Sequence, residues 1–403
     1  MTSPTDIKTG TIRTVAGNGE SGFKGDGGLA TVASLNEPKA VTVDAQDNLI
    51  IADSENHIVR KVDRATHVIS TVAGYAGTAK PHLEVVQPSA AVETDSEDPF
   101  ADAGTMGERA FAQQTDLSGT VRYVVNGGGV AKRFGGDGGP ADRALLNFPS
   151  AVTVDNAGHL YIADTMNHRV RRVEAGTNTI STVAGLGQPR YGGDGGPAVA
   201  AGLNEPSALA VDGSGATLYI ADQSNNRVRA IDLGTGVIST VAGTGAAEYN
   251  GDGMPASEAS LAGPSGLAVG IDGTLYIADT FNGRIRAVDP STRVIRTVVG
   301  DGEMYRYQGA VEPPSPRVSR PAAIAVDSEG NLFMTDSDNH LVRRWDRQTG
   351  RVDRLAGVGI ANFGGDGGSA LEASLNFPFG IAERSGHLFI ADTFNHRIRE
   401  IIL

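Results

Sequence analysis

Glu55 and Asp338 occupy the same variable position in two copies of a recurring D-x-x-N segment, and Lys39 follows a proline that opens an apolar run. Carboxylates so placed can act as general bases or as ligands to a divalent cation, while a lysine can hold an anionic group or intermediate. In the remaining copies the Glu55 position is filled by Met166, Ser224, Phe281 and Phe394. Two acids, two phenylalanines, a methionine and a serine around one rim would hold an apolar ligand with a few polar fixings. The residues after the strand-leading prolines are Lys39, Ser150, Ser207, Ser265, Ala322 and Phe379, of which only Lys39 and Phe379 are large. They are either a ligand-contacting pair or a lysine stem that covers an aromatic ring.

The position after each Asn carries His57, His168, Asn226, Gly283, His340 and His396. Four histidines on contiguous repeats are candidate metal ligands; the competing reading keeps them as turn-packing side chains. A divalent cation (Mg, Ca or Zn) is the cofactor this arrangement admits. The chain has no G-x-S-x-G, H-E-x-x-H or Walker segment, so the familiar hydrolase, metalloprotease and nucleotide signatures are missing.

What positions these residues is a repeat. The segment IADSENHIVR at 51 recurs as IADTMNHRVR, IADQSNNRVR, IADTFNGRIR, MTDSDNHLVR and IADTFNHRIR, anchored at Asp53, Asp164, Asp222, Asp279, Asp336 and Asp392. The steps between those aspartates are 111, 58, 57, 57 and 56 residues, so only the first contains extra chain. Each unit reads as four short strands, such as PSAVTVD, HLYIAD, VRRV and ISTVAG, separated by turns. β-branched and aromatic residues suit half-buried strands, and 54 glycines with 5% aromatics fit many strands joined by tight turns. Six units of four strands predict an all-β, six-bladed β-propeller.

The two ends predict how the ring closes. The last unit stops at REIIL without its ISTVAG strand, whereas TIRTVAG near the N-terminus precedes any complete unit. The N-terminal strand is therefore expected to fill the outer place of the last blade, which removes a free edge. These motifs resemble NHL repeats, in the bacterial and teneurin-like variant with TVAG, GDGG and L-x-x-P signatures. The resemblance covers nearly all of the chain outside about 75–119, and it speaks to fold rather than to function. Related propellers show two uses of such a ring. Peptidylglycine amidating lyases use histidine-bound zinc, and streptogramin lyases open a macrocyclic lactone with Mg²⁺. A third use, as a protein-interaction module, is common among NHL propellers.

The connections between repeats are themselves repeated, with an aromatic before each Gly-Asp-Gly: Phe23, Phe134, Tyr191, Tyr249 and Phe363. The aspartates Asp26, Asp137, Asp194, Asp252 and Asp366 are expected to make structural turns that clasp the adjacent blade. One aspartate per loop falls short of the oxygens calcium takes. The recurring Arg60, Arg171, Arg229, Arg286, Arg343 and Arg399 are expected to pair with acids of the same or a neighbouring blade. After Tyr307 the fifth loop loses Gly-Asp-Gly and reads QGAVEPPSPRVSRP, a departure that marks either a ligand site with Tyr307 as a contact or drift at a tolerant loop. Ligand contacts are expected on blades five, six and one, with Glu55, Asp338 and Lys39 as the acting groups.

A net charge of −13 opposes nucleic-acid binding, and no stretch approaches eighteen apolar residues, so neither nucleic acid nor membrane is an expected partner. The chain has no cysteine and its N-terminus lacks an apolar signal core; cytoplasmic residence of a monomer is expected as written, or secretion if a leader was removed. Two functions stay open: small-molecule binding with lyase- or hydrolase-type catalysis at the channel mouth, or a protein-interaction module. Residues 75–119 form an insertion with eight acids against Lys80 and Arg109, read as a lid, an arm or a disordered excursion. Because the flanking repeats are complete without it, replacing 76–118 by a short Gly-Ser link should leave one cooperative thermal transition while removing function. Loss of that transition would show the segment to be core structure.

Overall fold

The structure is a computed structural model that describes residues 10–75, 134–303, 305–307 and 317–403, with the backbone of 124–125 and 129–130. The acidic insertion and the proline-rich stretch 308–316 lie outside the described residues. The chain divides into two units, 1–76 with 135–403, and 77–134. In the second, Val124–Val125 pairs antiparallel with Gly129–Val130.

The first unit is six four-stranded antiparallel sheets. Blade one comprises Pro38–Val43, Leu49–Asp53, Ile58–Val62 and Ile69–Ala73, from inner to outer strand. Blades two to five begin at Pro149, Pro206, Pro264 and Pro321 and repeat the pattern. Blade six comprises Pro378–Arg384, His387–Asp392 and Arg397–Ile402, and its outer strand is Ile12–Ala16. Ile12 pairs with Ile401 and Arg13 with Glu400, so the first strand closes the ring as the sequence predicts. Arg13 Nε donates to the fully buried Glu400 at 2.5 Å, an ion pair that spans the closure.

The core lies between blades. Val41, Leu49, Ile51, Val62 and Ile69 of blade one pack on Ala16, Phe389, Ala391 and Ile398 of blade six. Ala151, Tyr161 and Ala163 of blade two likewise meet Leu209, Leu218, Ile220 and Ile231 of blade three. Leu35 and Ala30 of the Gly-Asp-Gly connection enter the first of these layers, and burial of a side chain the size of Leu35 contributes about 2 kcal/mol. Alternation of apolar and polar residues cannot satisfy a sheet buried on both faces, which is why the second strands read almost continuously apolar.

Inside each blade a buried arginine ties strands to loop. Arg60 is 0% exposed; its Nη2 donates to Asp26 at 2.6 Å, and Nη1 lies 3.7 Å from Asp53, also 0% exposed. Asp53 accepts from the Asn36 amide at 2.7 Å and from Asn56 Nδ2 at 2.8 Å. Asn56 reaches on to the Gly22 carbonyl at 2.9 Å. The other carboxylate oxygen of Asp26 accepts from Thr71 of the outer strand at 2.6 Å. The D-x-x-N turn, the Gly-Asp-Gly loop and three strands are thus bound by one charged network. It recurs with Arg171, Arg229, Arg286 and Arg399. Blade five differs, as its loop lacks the aspartate. Arg343 Nε donates to Asp336 at 2.8 Å, and the threonine's place is taken by Arg354, which donates to the carbonyls of Gly357 and Leu371.

Asp279→Ala should leave the buried Arg286 with Asp252 as its remaining carboxylate and orphan the Ala262 amide and the Asn282 side chain, lowering stability by about 3 kcal/mol in urea unfolding. A cost below about 1 kcal/mol would mean the network is decorative.

Candidate functional site

The first residue of each inner strand pairs with the aspartate that ends the second strand, as Pro38 does with Asp53. The entering loop and the D-x-x-N turn therefore meet on one face. The turn is a single 3-10 turn, Ser54–Asn56 in blade one, closed by His57 in the left-handed region at φ 58°. His57 Nδ1 accepts from the Phe148 amide of the next blade at 3.1 Å. His168, His340 and His396 do the same to Glu205, Phe377 and Glu37, and Asn226 Oδ1 to Gly263. An acceptor Nδ1 requires the neutral ring with its proton on Nε2, and burial holds His340 and His396 below the ordinary imidazole value. The four histidines thus act as links between blades. Among the described residues no group of three or more His, Asp or Glu converges in a metal-holding arrangement.

The residues these links hold precede the strand-leading prolines: Glu37 (φ 46°), Phe148 (52°), Glu205 (52°), Gly263 (55°) and Phe377 (47°). A left-handed conformation at a residue with a side chain costs about 1–2 kcal/mol, which the link offsets, and it turns the side chain onto the rim. Blade four has Gly283 where the histidine would stand; a Cβ there would lie 3.3 Å from the Val318 carbonyl, and Arg320 holds the corresponding rim position.

The rim is asymmetric. Where blades six and one meet, Lys39 is 8% exposed, and its Nζ lies 3.2 Å from Glu37 Oε2. The ammonium sits 4.4 Å from the Phe379 ring centroid and 5.1 Å from that of Phe394. Phe394 meets Phe377 edge-on at 5.2 Å, and Phe377 meets His340 at 4.6 Å. Burial lowers the Lys39 pKa, opposed by the charges of Glu37 and Glu55. Glu55 is pushed up to about 7, chiefly by burial and then by Glu37, with Lys39 pulling the other way. A carboxyl that titrates near neutrality beside a buried amine is fit to exchange protons with a bound molecule.

Among the residues singled out from sequence, Lys39, Glu55, Phe379 and Phe394 come together here. Asp338 and Phe281 form a separate group around Arg320, whose Nη1 is 3.4 Å from Asp338 and whose guanidinium is 5.2 Å from the Phe281 ring. Met166 stands half-buried on the blade-two turn, and Tyr307 lies beside Arg354 of the blade-five outer strand. Sequence reading passed over Glu37, Phe377, Arg320 and Glu205. Their signal was present one residue before each strand-leading proline, as NEPK, NFPF, SRPA and NEPS. The anion beside Lys39 is Glu37, in the place an anionic ligand was expected to take.

Six sheets around an inner ring of strands define a six-bladed β-propeller. The chain is a propeller of NHL repeats: residues 146–173 match the NHL repeat and residues 243–311 the teneurin NHL domain. It is 31% identical over 276 residues to Protein SUPPRESSOR OF QUENCHING 1, chloroplastic, of Arabidopsis thaliana, covering 66% of this chain and 26% of that one. NHL repeat-containing protein 2 of Bos taurus is 28% identical over 75% of this chain and 45% of its own. The chain thus spans less than half of the length of these relatives. A crystal structure of an auxiliary nutrient binding protein from Bacteroides thetaiotaomicron VPI-5482 shares the fold with a TM-score of 0.58 and 16% identity, covering 97% of this chain and 75% of that one.

Because the folded carboxyl holds its proton more tightly than the unfolded one, Glu55 favours the fold most at low pH. That contribution fades as pH rises from about 4.5 through about 7. Glu55→Gln should therefore gain stability relative to the parent between pH 5.5 and 8.5, by at most about 3 kcal/mol. Parallel denaturation curves whose difference stays constant with pH would refute the assignment.

Proposed function

We propose that this propeller binds a small, largely uncharged organic ligand over the junction of blades six and one, with Lys39 and Glu55 as the groups that act on it. The observation that carries this reading is the break in symmetry. Blades two, three and four place Ser150, Ser207 and Ser265 after the proline, whereas blades one and six place Lys39 and Phe379. Ser150 and Ser265 bond to neighbouring hydroxyls and carbonyls, which is what packing alone asks of the position. A lysine buried against aromatic faces between two acids costs desolvation that a scaffold role does not require.

The site suits a neutral molecule with an apolar body and a carbonyl. Phe379, Phe394 and Phe377 supply apolar surface, and an anion would meet Glu37 and Glu55. With its proton shared near pH 7, Glu55 is placed to serve as the general base or acid of a lyase- or hydrolase-type step. Asp338, held by Arg320 in the adjoining group, belongs to the same face and would bound the ligand on the blade-five side.

A second reading, a protein-interaction module, is favoured by one fact: the curated relatives are much longer than this chain. The double variant Lys39→Ser, Phe379→Ser separates the two, because it restores the small residue of blades two to four and should leave folding intact. Saturation-transfer NMR with a fragment set of aromatic carboxylates, aldehydes and lactones should show hits on the parent, mainly neutral carbonyl compounds, that the variant loses at least about tenfold in affinity. Hits retained in the variant, or no hits on either, would favour the interaction module.

A further inference from the structure

We propose that Lys39 is a nucleophilic amine that forms an imine with an aromatic or unsaturated aldehyde or ketone at the channel mouth, with Glu37 and Glu55 carrying the protons. The inference rests on the ligand site proposed above and adds the reacting atom and the substrate class.

Geometry supplies the argument. Lys39 Nζ lies between the Phe379 and Phe394 rings on one side and the Glu37 carboxylate on the other. Only 7% of the lysine side chain is exposed, so the amine is screened from the water that would hold it protonated. Glu37 is 3.2 Å away, close enough to take a proton directly, and Glu55 lies within electrostatic reach of the same nitrogen. Imine formation needs an amine that gives up its proton readily and neighbouring groups that carry protons, and burial eases the first while Glu37 and Glu55 stand beside the nitrogen for the second. The aromatic faces offer stacking surface to a conjugated carbonyl compound.

The steps balance. The Lys39 nitrogen lone pair adds to the carbonyl carbon as the Glu37 carboxylate takes one N–H proton and the Glu55 carboxyl protonates the oxygen. The product is a carbinolamine. Glu37 then returns its proton to the hydroxyl, which leaves as water, while Glu55 takes the second N–H proton as the C=N bond forms. Both carboxyls end as they began, and the sum is amine plus carbonyl giving imine plus water.

The experiment uses benzaldehyde with sodium cyanoborohydride at pH 7.5, peptide mapping by mass spectrometry, and NMR line broadening of benzaldehyde without reductant. The exposed Lys24 serves as the internal reference. Lys39 should be benzylated at least about tenfold faster than Lys24, and Glu55→Gln should slow that labelling about tenfold or more while leaving Lys24 unaffected. Lys39→Arg, which keeps a cation over the rings, should still broaden benzaldehyde but give no adduct at position 39. Broadening in the parent with Lys39 labelled no faster than Lys24 would overturn the imine and leave the ligand site standing. Absence of both broadening and preferential labelling would overturn both.

Discussion

The buried arginine on the third strand is the constraint around which each blade is built. A guanidinium with no exposed surface must have its charge answered and its donors filled, and the two answers come from opposite ends of the repeat. One is the aspartate closing the second strand; the other is the aspartate of the loop that leads into the blade. Because the same aspartate orders the D-x-x-N turn and the amide entering the inner strand, turn, loop and strand order cannot be chosen independently. Five repeats keep this arrangement, and in the sixth, blade five, where the loop aspartate has gone, Arg343 turns its Nε to Asp336 while Arg354 in the threonine's place bonds to the Gly357 and Leu371 carbonyls.

Those networks leave the rim free to vary. Once the turn is fixed by Asp and Asn, the two residues between them are held in position whatever their side chains, and the side chain that follows the Asn fixes the residue before the next proline. The histidine link and the left-handed residue it supports convert a repeated backbone into a ring of outward-facing sites. Of the five left-handed residues so held, Glu37, Phe148, Glu205 and Phe377 carry a side chain and Gly263 carries none. A near-sixfold frame thereby makes asymmetry meaningful: Lys39 opposite Phe379 and Phe394 stands out because three other blades show serine at the first of these positions.

The electrostatics of that corner follow from crowding. Two acids and one amine meet beside phenylalanine rings, and burial acts on Glu55 and Lys39 more strongly than their mutual attraction offsets it. Glu55 is thereby carried toward neutrality and Lys39 away from full protonation, a pairing that symmetric positions such as Ser224 with Glu205 do not create.

How many blades there are, where their strands lie and how the ring closes were legible in the sequence, because periodicity and turn residues are local signals repeated six times. That Lys39, Glu55, Phe379 and Phe394 differ from their counterparts was legible too. What they touch was not. Glu37 neutralises Lys39 from two residues away only because a left-handed turn before Pro38, held by His396 at the far end of the chain, brings its carboxylate back onto the amine. The histidines were ambiguous for the same reason: whether an imidazole binds a metal or caps a neighbour's amide depends on which blade stands beside it. Adjacency across the ring, and the burial that shifts protons within it, arise only when the last blade meets the first.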